Sequence, residues 1–218
     1  MKKFFIYTTM FMGLITANRV NAQQGFSVSV KGTPQFSFLQ NSDDNDNNSY
    51  SRKATFNTSF GLGAGYNFDK YMGVGVDVLY SLQGQKYDLN STEYKQKINY
   101  VKVPVYFTYN SDASKIVSFI GKVGPQVSFL TDAKLTDKNS GKTLDDTKDR
   151  FETATFGGAA LAGAQFKVQP GLYVTTAVRF DYDFTNAEDK NYYSYIPGRA
   201  KTYNSTAGLE VGLKYMIK

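Results

Sequence analysis

Eight segments of the chain alternate between apolar and polar residues along their whole length. In one of them Val76 and Val78 flank Asp77, and the same period of two continues in both directions. Successive side chains of a β-strand point to opposite faces of a sheet, so this period predicts strands with one apolar and one polar face. Each segment has about 12 residues, twice the usual length of a strand in a globular sheet. The segments cover residues 26–38, 55–68, 72–83, 100–109, 117–129, 155–166, 172–184 and 206–217.

The two faces of these predicted strands differ sharply in composition. The apolar faces carry no charged residue, whereas the opposite faces consist mainly of Gly, Ser, Thr and Asn, with a few charges of both signs. A sheet with one solvated face would expose many Lys and Glu side chains instead. An apolar wall around a crowded polar interior is typical of a membrane β-barrel. We therefore expect the apolar faces to contact lipid and the polar faces to line the lumen.

The connections between the segments alternate in length. An even number of antiparallel strands, with long loops at one end and tight turns at the other, is the pattern of outer-membrane barrels. The sequence predicts an eight-stranded antiparallel up-and-down transmembrane β-barrel with long extracellular loops and short periplasmic turns. The long connections are residues 39–53, 85–97, 131–153 and 185–201, and the short ones are 69–71, 110–115 and 167–171.

A soluble eight-stranded barrel of the lipocalin type is the alternative fold. It would turn the apolar faces inward around a ligand and would expose the Gly, Ser and Thr faces to water. An outer face with so few charges is unusual for a soluble protein. In a soluble barrel, the apolar faces would also not need to lack charged residues as far as the ends of the strands. The membrane barrel is the favoured interpretation.

The first 22 residues have the pattern of an export signal. Lys2 and Lys3 precede an apolar run from Phe4 to Ala17, and a Val-x-Ala motif ends at Ala22. The run is shorter than the about 20 residues that a membrane-spanning helix requires. With no cysteine at the cleavage position, a lipoprotein anchor is excluded. The sequence predicts a cleaved signal peptide (1–22) and an outer-membrane barrel domain (23–218), with localisation in the cell outer membrane.

The absence of cysteine and histidine excludes several functions. Thiol catalysis, Cys-ligated metals and imidazole bases are not available to this chain. Because outer-membrane barrel enzymes generally rely on a histidine, we expect neither enzyme activity nor a cofactor. The formal net charge of +6 includes Lys2, Lys3 and Arg19 of the leader, and the remaining positive charges form no stripe. A nucleic-acid partner is therefore not expected.

An acidic run at residues 43–48 offers oxygen atoms that suit Ca²⁺. The calcium-loop template requires glycine at its sixth position and glutamate at its twelfth. Counted from Asp44, these positions hold Ser49 and Thr55. The sequence therefore favours a solvated loop over a metal site.

Charged residues in the middle of the polar faces are the first candidate site. An eight-stranded barrel has an interior just wide enough for side chains to fill it, so charges there have to be paired. The favoured interpretation is a self-neutralising plug of four acids and four bases, and the alternative is a narrow ion path. The predicted lumen charge network consists of Asp77, Lys102, Lys122, Arg179, Asp181, Asp183, Glu210 and Lys214.

The fourth long connection is the second candidate site, because it is rich in tyrosine. The first connection, by contrast, has no aromatic residue between Asn41 and Ser49. Tyr and Arg dominate the energetics of many interfaces, which indicates a binding surface. The alternative is that these tyrosines form the outer aromatic girdle or fold back over the barrel mouth. The candidate binding residues are Tyr192, Tyr193, Tyr195 and Arg199.

Four motifs lie on the predicted strands. They are Val-Asp-Val-Leu-Tyr-Ser-Leu-Gln-Gly-Gln-Lys (76–86), Tyr-Val-Lys-Val-Pro-Val-Tyr-Phe (100–107), Gly-Lys-Val-Gly-Pro-Gln-Val-Ser (121–128) and Gly-Leu-Glu-Val-Gly-Leu-Lys-Tyr (208–215). Together they resemble the PorT-type outer-membrane β-barrel family of Bacteroidetes-like bacteria. The chain departs from the family's usual aromatic C-terminal residue, because it ends with Tyr215-Met-Ile-Lys. The family's namesake serves a secretion system and most members have no assigned role, so the resemblance implies location better than function.

Two functions follow from these features. The first is a non-enzymatic structural or binding barrel, embedded in outer-membrane lipid, whose surface loops contact a protein partner or a secretion or envelope component. The second is a small-solute transporter or channel that uses the lumen.

Overall fold

The computed structural model of the protein describes residues 24–45, 51–89, 92–112, 115–137 and 140–217. Within them, eight antiparallel strands form a closed ring in which the first strand pairs with the last. A ninth strand, β6, pairs with β5 outside the ring. The predicted eight-stranded up-and-down barrel is confirmed. The strands are β1 (Gly25–Gln40), β2 (Ser51–Asn67), β3 (Met72–Leu89), β4 (Thr92–Asn110), β5 (Val117–Asp137), β6 (Thr143–Asp146), β7 (Ala154–Gln169), β8 (Leu172–Asp183) and β9 (Tyr203–Ile217).

The two faces of the ring have the predicted orientation. Val76 exposes 38% of its surface on the outer wall, whereas its neighbour Asp77 exposes 3% inside the lumen. The outer wall also carries most of the exposed Phe side chains, such as Phe60 and Phe107. The period of two places the charged mid-strand residues on the inner face. Buried apolar clusters, such as Tyr106 with Leu161 and Tyr100 with Ile98, pack beside them inside the ring.

The prediction of a long loop over residues 85–97 is wrong. β3 continues to Leu89 and β4 begins at Thr92, so the two strands form a hairpin that pairs up to these two residues. β5 likewise continues to Asp137, well into the predicted third loop. The reason is that both faces of a strand meet water once it leaves the membrane. The alternation of apolar and polar residues then disappears from the sequence, although the backbone pairing of the strands continues.

Short elements in the loops were not predicted. The helix α1 (Ser42–Asn45) lies in the first loop. A 3-10 helix (Lys148–Arg150) follows β6 in the third loop, and the fourth loop has no regular element. Among the described residues, no helix is long and apolar enough to cross a membrane.

Candidate functional site

A chain of ion pairs fills the middle of the lumen, with Arg179 at its centre. Arg179 Nε lies 2.9 Å from Asp181 Oδ1, and Arg179 Nη1 lies 3.0 Å from Glu210 Oε2. Lys102 Nζ donates a hydrogen bond of 3.0 Å to Asp181 Oδ2 from the opposite wall. Arg179 and Asp181 are two residues apart on β8, so both point inward and their side chains are neighbours. These four predicted residues are therefore brought together.

Lys31 extends this chain and was not among the predicted charges. Its ammonium group lies 2.7 Å from Asp77 Oδ2 and 3.6 Å from Glu210 Oε1. Lys31 occupies an inward position of β1, between Val30 and Gly32, so the same period of two points it into the lumen. With Lys31 included, the charged lumen residues in the described part of the chain include five bases and four acids. The predicted balance of four and four is therefore wrong.

Glycines on the inner faces make room for the network. A Cβ atom added to Gly63 would collide with the Asp77 carboxylate, and one added to Gly212 would lie 3.2 Å from the Cβ of Lys31. Gly63 pairs with Asp77 across β2 and β3, so the missing side chain leaves the space that the carboxylate occupies. Glycine at position 63 is thus required by the Asp77 carboxylate opposite it.

Asp183 is buried nearer to the long-loop end and has no basic partner within the described residues. Its carboxylate accepts hydrogen bonds from the hydroxyls of Ser128 and Thr155 and from the Asn204 amide. The distances are 3.4, 3.0 and 3.3 Å in that order. Neutral donors therefore stabilise the Asp183 carboxylate, whereas the sequence predicted an ion pair for it.

Lys122 and Lys214 lie at the other end of the lumen, near the short turns. No described carboxylate forms an ion pair with either ammonium group. Lys122 Nζ lies 5.5 Å from the centre of the Tyr106 ring. Lys214 Nζ lies 6.0 Å from the centre of the Tyr173 ring and 3.5 Å from Gln165 Oε1. The central network consequently does not include these two predicted residues.

The ion pairs in the middle of the lumen are buried. Arg179 exposes 1% of its surface and Lys102 exposes 2%. An eight-stranded barrel is only wide enough for its side chains, so a solute would have to separate these charges in order to pass. Separating a buried charge from its partner costs about 3–5 kcal/mol. This arrangement favours the predicted plug over the narrow ion path.

The third and fourth loops are joined by backbone hydrogen bonds at the long-loop end. Asp189 N donates to Arg150 O at 3.0 Å, and Glu152 N donates to Ala187 O at 2.9 Å. Phe151 and Glu188 form an isolated antiparallel bridge between these bonds. Because the two loops share a short ladder, they form one unit rather than two independent segments.

The first loop ties the fourth loop to the barrel as well. The Asn41 amide donates to Ala200 O and to the Thr202 hydroxyl, both at 2.8 Å. Asp43 Oδ2 accepts a hydrogen bond of 2.7 Å from Ala200 N. Asp43 therefore connects two loops.

The rest of the acidic run, residues 46–48, lies outside the described residues. No group of three or more acidic side chains elsewhere in the described chain is placed to hold a metal ion.

We call Arg150, Tyr192 and Tyr193 the tyrosine platform. The two tyrosine rings lie 4.5 Å apart, and the Arg150 guanidinium lies 5.6 Å from the centre of the Tyr192 ring. Arg150 Nε also donates to the Tyr192 hydroxyl at 3.3 Å. The hydrogen bond with Tyr193, and the contact with Arg150 after it, lower the pKa of Tyr192 below its ordinary value. Tyr193 exposes 87% of its surface.

The other two predicted loop residues have different surroundings. Tyr195 is half-buried, and its backbone N–H donates to Tyr192 O at 2.9 Å. Arg199 Nε lies 3.2 Å from Glu188 Oε2, so its guanidinium is held within the loop. Tyr192 and Tyr193 are thus gathered in one surface, while Arg199 ties the loop together. Arg150 was missed because nothing in the sequence near it indicates its contact with a tyrosine 42 residues away.

An open cleft of about 530 Å³ adjoins the tyrosine platform. We call it the loop cleft. Three acids and one base contribute to its walls, which gives it a negative character. Its polar and charged lining includes Asp146, Lys148, Asp149, Asp189, Tyr192 and Tyr193.

Comparison with known proteins agrees with this architecture. Residues 21–189 match the family described as outer membrane protein beta-barrel domain. The chain belongs to this family. The barrel is accordingly an outer-membrane protein, and its apolar wall is its lipid contact. No curated protein matches it in sequence.

Solved structures of other outer-membrane barrels are similar in fold. Neisserial surface protein A (NspA) shares 15% identity, with coverage of 88% of this chain and 97% of that chain and a TM-score of 0.52. AlkL, solved by solid-state NMR in DMPC bilayers, shares 13% identity, with coverage of 93% and 95% and a TM-score of 0.52. OprG from Pseudomonas aeruginosa shares 14% identity, with coverage of 89% and 98% and a TM-score of 0.47.

Proposed function

We propose that this outer-membrane barrel is a non-enzymatic binding protein that contacts a partner through its long-loop end, outside the cell. The observation that carries the proposal is the tyrosine platform, which presents Tyr193 on a loop unit held by backbone hydrogen bonds. A preorganised surface loses little conformational entropy on binding. Tyrosine supplies a large contact area from a side chain with few rotatable bonds.

The position of the platform favours binding over an aromatic girdle. Girdle residues lie on the barrel wall where strands cross the membrane interface. Tyr193 instead lies in the fourth loop, after the end of β8, and its ring packs against that of Tyr192. Leu144 and Ile196, from the third and fourth loops, are exposed as well. Apolar and aromatic side chains held in this way are the kind that become buried in an interface.

The charge of the loop cleft indicates the chemistry of the partner. Asp146, Asp149 and Asp189 outnumber Lys148 in its walls, and Arg150 of the adjoining platform is paired with Asp145 at 2.6 Å. Complementary potential steers association and selects the partner. We expect the partner to insert a basic segment beside Tyr192 and Tyr193.

The alternative function, a small-solute transporter or channel, receives less support. Buried ion pairs around Arg179 lie in the middle of the lumen, and the lumen cavity near the short turns has a volume of about 40 Å³. We also propose, from the sequence resemblance, a PorT-type role beside a secretion or envelope component. Residues 1–22, which lie outside the described residues, are proposed to be a cleaved signal peptide.

Site-specific photocrosslinking in intact cells tests the proposal. A photoreactive phenylalanine replaces Tyr193 in one variant and Lys201, exposed in the same loop, in the control. We expect a discrete adduct from position 193 that is absent from position 201. The adduct should disappear when Asp149→Lys and Asp189→Lys are combined with the probe. Identical adducts at both positions, or none at position 193 in native cells, would contradict a binding role for the platform.

A further inference from the structure

A small cavity at the short-turn end of the lumen has an excess of positive charge. Its volume is about 40 Å³, and Lys31, Lys122 and Lys214 contribute to its lining. Asp77 is the acid among the lining residues, and its carboxylate lies 2.7 Å from Lys31. One acid against three bases leaves the lining with an excess of positive charge, and Glu210, outside the lining, lies 3.6 Å from Lys31.

Two of these lysines, Lys122 and Lys214, form no ion pair with a described carboxylate. The Lys122 ammonium is repelled by Lys31 and attracted over a longer distance by Asp77 and Glu210, whereas the Lys214 ammonium is repelled by Lys122 and Lys31. The described contacts of Lys122 and Lys214 are with aromatic rings and, for Lys214, with the Gln165 amide oxygen. Enclosed charges of one sign require compensation, and partial negative charge on a ring face replaces a counterion only in part.

A buried donor without an acceptor lines the same cavity. The Nδ2 atom of Asn110 has no hydrogen-bond partner among the described residues, although the side chain exposes only 4% of its surface. Leaving such a donor unpaired is costly, so a buried amide generally finds an acceptor. Hydroxyl groups also line the cavity and can donate to the same acceptor. They belong to Ser27, Ser29, Thr108 and Thr175.

We infer that this cavity binds a small inorganic anion the size of chloride, held by Lys122, Lys214 and Asn110. A cavity of about 40 Å³ exceeds the minimum of about 10–15 Å³ that a water-sized species requires, so it has room for a monatomic anion. A neutral water can accept from Asn110 but cannot balance two lysines. The inference is independent of the proposed binding function, which uses the opposite end of the barrel.

Thermal unfolding of the folded full-length barrel in detergent micelles tests this site. Chloride replaces gluconate stepwise at constant ionic strength, so screening does not change and only the smaller anion fits the cavity. A ligand that binds the folded state stabilises it in proportion to the logarithm of its concentration above Kd. We expect the Tm to rise by several degrees with chloride and to follow a one-site curve.

Charge-removing variants locate the effect. Lys122→Met and Lys214→Met should each lose most of the chloride-dependent shift and should be no less stable than the wild type in gluconate, because repulsion is relieved. Lys115→Met, an exposed lysine near the same turns, is the matched control and should keep the full shift. A Tm of the wild type that is independent of chloride would overturn the inference, as would a shift that persists in both variants or that only sulfate or phosphate produces.

Bromide provides a second measurement that needs no variant. Crystals of the unmodified barrel grown in bromide should show an anomalous peak within hydrogen-bond distance of Lys122 Nζ and Lys214 Nζ. A cavity that contains only water in saturating bromide would overturn the inference.

Discussion

Lys102 donates a hydrogen bond of 3.0 Å to Asp181 across the lumen, from β4 to the non-adjacent strand β8. The Thr206 hydroxyl contacts both groups, at 3.2 Å from Lys102 Nζ and 3.0 Å from Asp181 Oδ2. A contact between strands that do not pair adds a constraint that the backbone ladders do not provide. The ion pair therefore acts as a cross-brace inside the barrel.

Replacing Lys102 tests this cross-brace. Lys102→Met should lower the free energy of unfolding by about 3 kcal/mol, the lower end for a broken buried pair, because Asp181 keeps its contact with Arg179. Equilibrium unfolding in lipid bilayers measures the effect. Lys97→Met, on the exposed part of β4, is the control and should change stability by less than about 0.5 kcal/mol. Equal effects of the two substitutions would contradict the cross-brace.

Lys102 and Lys31 together show how much of the lumen network could be predicted from the sequence. The period of two decides which side chains point inward, so it places both lysines in the lumen. It does not decide which acid each one meets. Lys31 and Asp77 are 46 residues apart and lie on strands that are not neighbours. Their contact depends on the tilt and stagger of the whole barrel, which no local pattern encodes.

The long-loop end was less predictable for a related reason. Its tyrosines are visible in the sequence, but their arrangement depends on hydrogen bonds between loops. The bond from Asp189 N to Arg150 O joins segments that are far apart in the chain. Loop residues have no periodic environment that would reveal such partners. The sequence therefore indicated a candidate surface without its geometry.

Gly63 provides a test of packing in the lumen. Gly63→Ala should destabilise the barrel by about 1–3 kcal/mol, because the added methyl group would displace the Asp77 carboxylate from Lys31. Gly32→Ala is the matched control, since the nearest atom to its added Cβ is 3.9 Å away. Bilayer unfolding of the two variants measures the difference. A Gly63→Ala barrel as stable as Gly32→Ala would mean that the lumen is less tightly packed than the structure shows.

Val76 tests the assignment of the lipid-facing wall. Val76→Arg should cost about 2–4 kcal/mol in a bilayer, because it places a charge near the membrane midplane. Leu144→Arg makes the same kind of change on β6, outside the ring, and should be near neutral. The comparison removes any general effect of introducing arginine. If Leu144→Arg is the more destabilising change, the wall is not in lipid at Val76.

The plug predicts the electrical behaviour of the barrel. Purified protein in planar bilayers should show no steady ohmic current, because paired charges around Arg179 fill the lumen. Lys102→Met should also remain closed, since methionine keeps most of the volume of lysine. Stable single-channel steps in the wild type would instead support the transporter function.

Arg199 tests whether the fourth loop is held from within. Arg199→Ala removes the contact of 3.2 Å with Glu188. A half-exposed pair contributes no more than about 1 kcal/mol, so the barrel itself should unfold as before. The loop should nevertheless open more often, and limited proteolysis should cleave it faster between residues 189 and 201. Lys201→Ala, at an exposed position of the same loop, should leave the cleavage rate unchanged. If both variants are cleaved at the wild-type rate, the inter-loop backbone hydrogen bonds alone are sufficient to hold the loop.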